Sequence, residues 1–287
     1  MLPNRTFKYL FLLSVALTSS CSTIEPQTST TPTAPAAPNV QAIQPERAAG
    51  IDNCSVGCPV GGSDVTLVRT AYTLNNDATT KFAKWVAYRI TKDTPASNRP
   101  RNWKKDPDIA AGDTLDPPDY NGANEALKTD RGHQTNLASM GGVPDWEALN
   151  YLSNITPQKA ELNQGAWARL EDQERNLVSR PGINAVYVAT GPLYERYIGT
   201  LPGTTKKHTI PSGYWKIIFT NTTPTLTTFS AFIMDQDTPR AANFCTYQVT
   251  VEQIEQRTGL KLWSQLPPDS QAPLKSTVGQ LAKQIGC

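Results

Sequence analysis

The sequence predicts one α+β domain, a mainly antiparallel sheet core with helices packed against it, and three observations predict it. Runs rich in β-branched and aromatic residues recur in both halves, at Val65–Leu74, Phe82–Ile90, Val186–Thr190, Tyr214–Thr220, Leu226–Met234 and Phe244–Val251. The strongest helical pattern, Gln158–Ser179, lies between these two groups of strands, with shorter patterns at Asp145–Leu152, Val251–Thr258 and Leu274–Ile285. Hydrophobic residues make up 38% of the chain and mean hydropathy is −0.42, which suits a water-soluble domain and argues against a bundle of membrane spans.

Residues 1–20 read as a signal peptide. Arg5 and Lys8 precede Tyr9–Leu17, an apolar stretch too short to cross a bilayer comfortably. The stretch ends in Leu17-Thr18-Ser19-Ser20-Cys21, small residues followed by a cysteine, as at bacterial lipid-attachment sites, with Thr18 where an aliphatic residue is usual. Residues 21–50 read as a linker. Pro26, Pro32, Pro35, Pro38 and Pro45 alternate with Thr, Ser, Ala and Gln, and apolar side chains are too few for a core. The folded domain is expected over residues 51–287.

Cysteine usage supports export. Cys54, Cys58, Cys245 and Cys287 lie beyond the linker, and an even number suits an oxidised fold. Cys21 is then the odd one, at the place a lipid would attach. The expected location is the periplasm or cell envelope as a lipoprotein, through an outer-membrane or cell-surface lipid anchor, or the medium as a secreted protein. Cys54 and Cys58 read as a tight disulfide loop, in which case Cys245 pairs with Cys287. Four cysteines permit three connectivities, and sequence does not choose between them. The longer loop would stabilise the fold by roughly 3–4 kcal/mol. No histidine or CxxC partner accompanies Cys54 and Cys58, so they do not read as a zinc site.

Charge says little about partners. Arg5 and Lys8 account for the excess of 27 basic over 25 acidic residues. Beyond the signal peptide the chain is near neutral, so a polyanion would have to be held by locally clustered arginines.

The central third carries the chemistry. His133 closes Thr129-Asp130-Arg131-Gly132-His133, and the chain has only 2 histidines. An imidazole titrates near neutrality and can take a proton from water. Arg131 keeps its charge and offers a planar fork for phosphate oxygens. Further on, Asn163, Trp167, Glu171 and Arg175 recur every four residues and would form one slowly drifting stripe on a helix. A solvated face with a Glu171–Arg175 ion pair is the plainer reading of that stripe, though Trp167 fits it poorly. A hard cation wants oxygen ligands and keeps several waters. Asn163 can supply a carbonyl oxygen directly. Glu171, eight residues on and about 12 Å along a helix axis, would act through a water bound to the ion. Lys206-Lys207-His208-Thr209 reads as a polar loop, and Val251–Gly259 with Glu252 and Glu255 as a solvated helix.

Asp130-Arg131-Gly132-His133 resembles the signature of the DNA/RNA non-specific endonucleases, a ββα-metal family. Asn121-Gly122-Ala123-Asn124, the run Asn150–Gln158, Leu162–Arg175, Thr190–Arg196 and the surroundings of Cys245 and Cys287 resemble a secreted bacterial member of it. The likeness spans nearly all of residues 51–287; the lipid-attachment site and Pro-rich linker depart from it. The resemblance implies a ββα-metal nuclease domain cutting DNA and RNA phosphodiester bonds to 5′-phosphate products, with one Mg²⁺, for which Mn²⁺ could substitute. It implies His133 as general base, Asn163 as direct metal ligand and Glu171 as the acid acting through water. Arg101 and Arg131 match the phosphate and transition-state arginines, Asn154 the residue supporting the histidine and metal site, and Arg175 a further basic position. It also implies a homodimer. The competing readings are a catalytically inactive nucleic-acid-binding lipoprotein on the same scaffold, against which intact His133, Asn163 and Glu171 argue, and a phosphodiesterase for small nucleotides or lipids.

Overall fold

A computed structural model describes residues 50–63 and 65–287. The expected signal peptide, the linker as far as residue 49 and the Cys21 lipidation site lie outside the described residues. In chain order the strands are β1 (Thr66–Val68), β2 (Thr73–Asp77), β3 (Phe82–Ile90), β4 (Thr129–His133), β5 (Ile155–Lys159), β6 (Val186–Leu193), β7 (Gly213–Thr220), β8 (Phe229–Asp235) and β9 (Gln248–Val249). The helices are α1 (Ala123–Leu127), α2 (Leu137–Met140), α3 (Ala160–Asn163), α4 (Ala166–Leu177), α5 (Val251–Thr258) and α6 (Pro268–Ser276). A 7-stranded sheet runs β1-β2-β3-β6-β7-β8-β9, antiparallel at every step, and β4 pairs with β5 alone.

The large sheet is covered on both faces, so its central strands are buried along their length. Alternation sorts the side chains. Val86 and Tyr88 of β3 and Tyr214 and Ile218 of β7 pack with Trp167, Leu170 and Leu177 of α4. Trp85 and Ala87 of β3 and Trp215, Ile217 and Phe219 of β7 pack with Val251 and Ile254 of α5. Buried Lys216 falls on the α4 side of β7, between Thr190 of β6 and Phe232 of β8. A third apolar cluster, including Phe82, Leu115, Tyr120, Leu152 and Ile155, anchors the β5 end of the small sheet.

The cysteines pair as Cys54–Cys58 and Cys245–Cys287. Strand β3 and helix α5 have the limits the sequence predicts. Val65–Leu74 divides into β1 and β2, because the chain turns where Arg69 N–H donates to Tyr72 O. Phe244–Val251 begins as a 3-10 turn, Phe244–Tyr247, capped by the Asn243 side chain accepting from Cys245 N–H, before the short β9 and the first residue of α5. Asp145–Leu152 likewise contains a 3-10 turn, Trp146–Asn150. The pattern at Leu274–Ile285 covers the end of α6 and a separate 3-10 turn, Leu281–Gln284.

The long helix expected over Gln158–Ser179 is broken. Gln158 and Lys159 belong to β5, α3 makes one turn, and α4 restarts after Gly165. Gly165 sits where two backbone segments approach each other closely. A Cβ there would meet Glu161 O at 2.2 Å and Arg240 Cα at 2.7 Å. The break is therefore imposed by a neighbouring chain segment. Gly165→Ala should destabilise the protein by about 1–3 kcal/mol, the scale of overpacking, read by urea unfolding; an unchanged midpoint would contradict this account of the break.

Candidate active site

The small sheet places the histidine. Gly132 lies opposite Thr156, and His133 opposite Ile155. A Cβ at Gly132 would meet Gln158 Oε1 at 2.5 Å and its Cβ at 2.7 Å, so only glycine lets the Gln158 side chain cross the strand. Arg131 and His133, two residues apart, share one face of β4.

His133 Nε2 lies 3.2 Å from Asn150 Oδ1, and Asn150 Nδ2 donates to Pro100 O at 3.0 Å. An amide oxygen only accepts, so this contact puts the ring proton on Nε2 and leaves Nδ1 as the basic atom. The Trp103 ring centroid sits 5.3 Å away. Burial pushes the imidazole down to about 4; the Asn150 contact opposes this and the Arg101 charge adds to it. The ring is therefore neutral at pH 7 and able to accept a proton.

Asn154 does not border the cleft. It is fully buried, its Oδ1 accepting Thr135 N–H at 2.8 Å and its Nδ2 donating to Thr135 O and Leu149 O. Its contact with the histidine is thus indirect, through the backbone that follows β4. Asn150, which touches the ring, was not singled out from the sequence, where nothing marks an asparagine that meets a histidine 17 residues away.

Asn163 ends α3. Its Nδ2 donates to Asp130 Oδ2 at 2.9 Å, and Gln164 Nε2 donates to the same oxygen at 2.8 Å. Among the described residues no donor reaches Asn163 Oδ1. An amide oxygen turned free in this way suits a hard cation that keeps most of its water. Among the described residues no three His, Cys, Asp or Glu side chains gather to cage a metal, so the donor set fits a hydrated ion held at few points.

Glu171 accepts Asn136 Nδ2 at 2.5 Å on Oε2 and faces Lys216 Nζ at 3.6 Å on Oε1. Burial pushes its carboxyl up, and the Lys216 charge pulls it down. Arg175 does not pair with Glu171: it donates to Asn136 Oδ1 at 3.0 Å and pairs with Asp172. Trp167 packs in the core and away from the cleft.

The other arginines are held differently. Arg131 lies between the rings of Trp103 and Tyr120, 5.5 and 5.4 Å from their centroids, and donates to Pro117 O at 3.1 Å. Its buried Nε has no partner among the described residues. Arg101 is exposed and, among the described residues, makes no hydrogen bond or ion pair. Arg101, Arg131, His133, Asn163, Glu171 and Arg175 all border one cleft of about 810 Å³. His208 lies elsewhere, accepting Leu201 N–H at 2.9 Å.

A two-stranded ββ unit carrying a neutral imidazole, a following helical turn offering a free amide oxygen, and guanidinium groups around one cleft define a ββα-metal phosphodiesterase site. The chain belongs to the DNA/RNA non-specific endonuclease family, whose model matches residues 49–269. It is 65% identical over 238 residues to a nuclease of Serratia marcescens, covering 83% of this chain and 90% of that one. A nuclease of a Nostoc species is 28% identical over 224 residues, with 74% and 78% covered. A solved EndoG/EndoGI complex has a chain matching with TM-score 0.63 at 23% identity, covering 76% of this chain and 92% of its own, a likeness of fold. The chain is thus an enzyme, a metal-dependent endonuclease that hydrolyses phosphodiester bonds.

The lowered basicity of His133 can be read directly. With 2 histidines in the chain, ring NMR signals of metal-free protein separate into two titrations. The His133 midpoint should lie near 4, far below the ordinary 6.5. A midpoint at or above 6.5 would contradict the desolvated setting described.

Proposed function

We propose that the chain cuts DNA and RNA without base preference, with His133 as general base and Asn163 as the direct protein ligand of one Mg²⁺, Mn²⁺ serving in its place. The observation that carries this is the sharing of one cleft by the neutral imidazole, the free amide oxygen and three arginines. His133 Nδ1 takes a proton from the attacking water while Nε2–H stays on Asn150. Arg101 and Arg131 hold the phosphate and offset the charge that grows on it, and Arg175 adds a further cation at the cleft wall. Glu171 holds the hydration shell of the ion. When bound, Mg²⁺ supplies Lewis-acid stabilisation of the phosphoryl and leaving oxygens. The P–O3′ bond breaks, the 3′ oxygen takes up a proton from water, His133 returns its own proton to solvent, and the products carry 5′-phosphates. Contacts confined to phosphate carry no base information, which supports action on both polymers.

Export belongs to the same proposal. It is supported by the signal-like residues 1–20 and by two disulfides, which persist in oxidising compartments. With those four cysteines paired, Cys21 remains for lipid attachment beyond a linker over residues 21–50, before the nuclease domain at 51–287. Radioactive fatty-acid labelling that is lost in Cys21→Ala supports the anchor; an unlabelled wild type rules it out. The homodimer rests on family resemblance and is checked by analytical ultracentrifugation.

Nicking of supercoiled plasmid and cleavage of RNA should require Mg²⁺ and stop with EDTA. His133→Ala should lower turnover roughly 10²–10⁴-fold, and Asn163→Ala should raise the Mg²⁺ concentration needed. Cutting that survives chelation, or a fully active His133→Ala protein, would overturn the mechanism. Substrate binding without any cutting would instead favour an inactive binding protein.

A further inference from the structure

We infer that Lys216 is a positioning residue, fixing the carboxylate of Glu171 toward the metal side of the cleft from beneath helix α4. This rests on the role proposed for Glu171 above. Lys216 is 0% exposed and projects from the middle of β7. A buried ammonium persists only where counter-charge and hydrogen bonds meet it. Its Nζ lies 3.0 Å from Glu174 Oε2, 3.6 Å from Glu171 Oε1 and 4.7 Å from the Trp167 ring centroid.

Glu174 alone would neutralise it. That residue is also 0% exposed and does not reach the cleft, and its Oε1 is already taken by Tyr88 O–H at 2.7 Å and Ser139 Oγ at 3.5 Å. One carboxylate balances the charge but takes up only one of the three ammonium donors, and the second carboxylate within reach, Glu171, is the member of the group that borders the cleft. Glu171 is thereby held at both oxygens, Oε2 by Asn136 and Oε1 by Lys216. Asn136 is itself fixed, accepting Ser139 N–H at 2.9 Å and Arg175 Nη1 at 3.0 Å. Without Lys216 the carboxylate keeps one tether and can turn about it, so its lone pairs no longer point one way.

The test uses Mn²⁺ binding to DNA-free protein, followed by loss of the free-ion EPR signal, together with thermal unfolding. Lys216→Met/Glu174→Gln removes the buried pair while nearly keeping its volume. It should unfold cooperatively yet bind Mn²⁺ about 10-fold more weakly, the scale on which outer-shell partners act. Glu174→Gln alone, which leaves Lys216 beside Glu171, should bind close to wild type, and Glu171→Gln should bind weakly. If the double variant binds as tightly as wild type while Glu171→Gln does not, Lys216 is only a structural counter-charge and the inference fails by itself. If Glu171→Gln binds normally, the metal-side role of Glu171 fails and takes this inference with it. Should the double variant not fold, Lys216→Met/Glu174→Leu replaces the pair with apolar side chains, a change buried ion pairs often tolerate, and the same two outcomes decide.

Discussion

One carboxylate joins the two halves of the site. Asp130, in the strand that carries His133, accepts hydrogen bonds from the side chains of Asn163 and Gln164 at the end of α3. Charge-assisted bonds of this kind are stronger and better oriented than neutral ones. They fix the β4 strand against the helical turn and consume the donor end of the Asn163 amide. What is left at the cleft is an amide oxygen that no donor among the described residues reaches. If either bond is absent, the imidazole and the Asn163 amide are still present but no longer registered with each other.

The cations of the cleft show how a chain of near-neutral charge can handle a polyanion. Arg131 is stiffened between two aromatic rings, Arg175 is tied to Asn136 and Asp172, and Arg101 has no hydrogen bond or ion pair among the described residues. The first two are pre-organised, so little side-chain freedom is lost when phosphate arrives, while the third can follow the backbone of a flexible polymer. Under the proposed mechanism, contacts confined to phosphate would leave base identity unread.

Much of this was legible in the sequence, and the exceptions share a cause. Strand β3 and helix α5 carry their own signals: a run of aromatic and β-branched residues in one case, and in the other a capping box from Thr250 to Gln253 with Gly259 closing the far end. The β4–β5 pair carries almost none. Thr129-Asp130-Arg131-Gly132-His133 is polar because it lines a cleft, and its glycine answers to a side chain on the partner strand. The break at Gly165 was hidden because the four-residue periodicity runs straight through it, while the constraint comes from the backbone of Glu161 and of distant Arg240. In the site, residues with distinctive chemistry stood out as His133, Arg131, Asn163 and Glu171. Asp130 and Asn150 lay inside matched runs but carried no role, and Lys216 lay outside them, since each acts on a residue distant in sequence. Trp167 drew attention on the stripe; its place is in the core, where its ring meets the buried ammonium of Lys216.

The meeting of imidazole and cation is most directly measured by paramagnetic relaxation. Mn²⁺ added to protein with isotope-labelled histidine should relax the His133 ring signals far more strongly than those of His208, and Asn163→Ala should suppress the effect at the same Mn²⁺ concentration. Equal relaxation of both rings, or an effect undiminished in Asn163→Ala, would contradict a site in which that amide holds the ion beside the base.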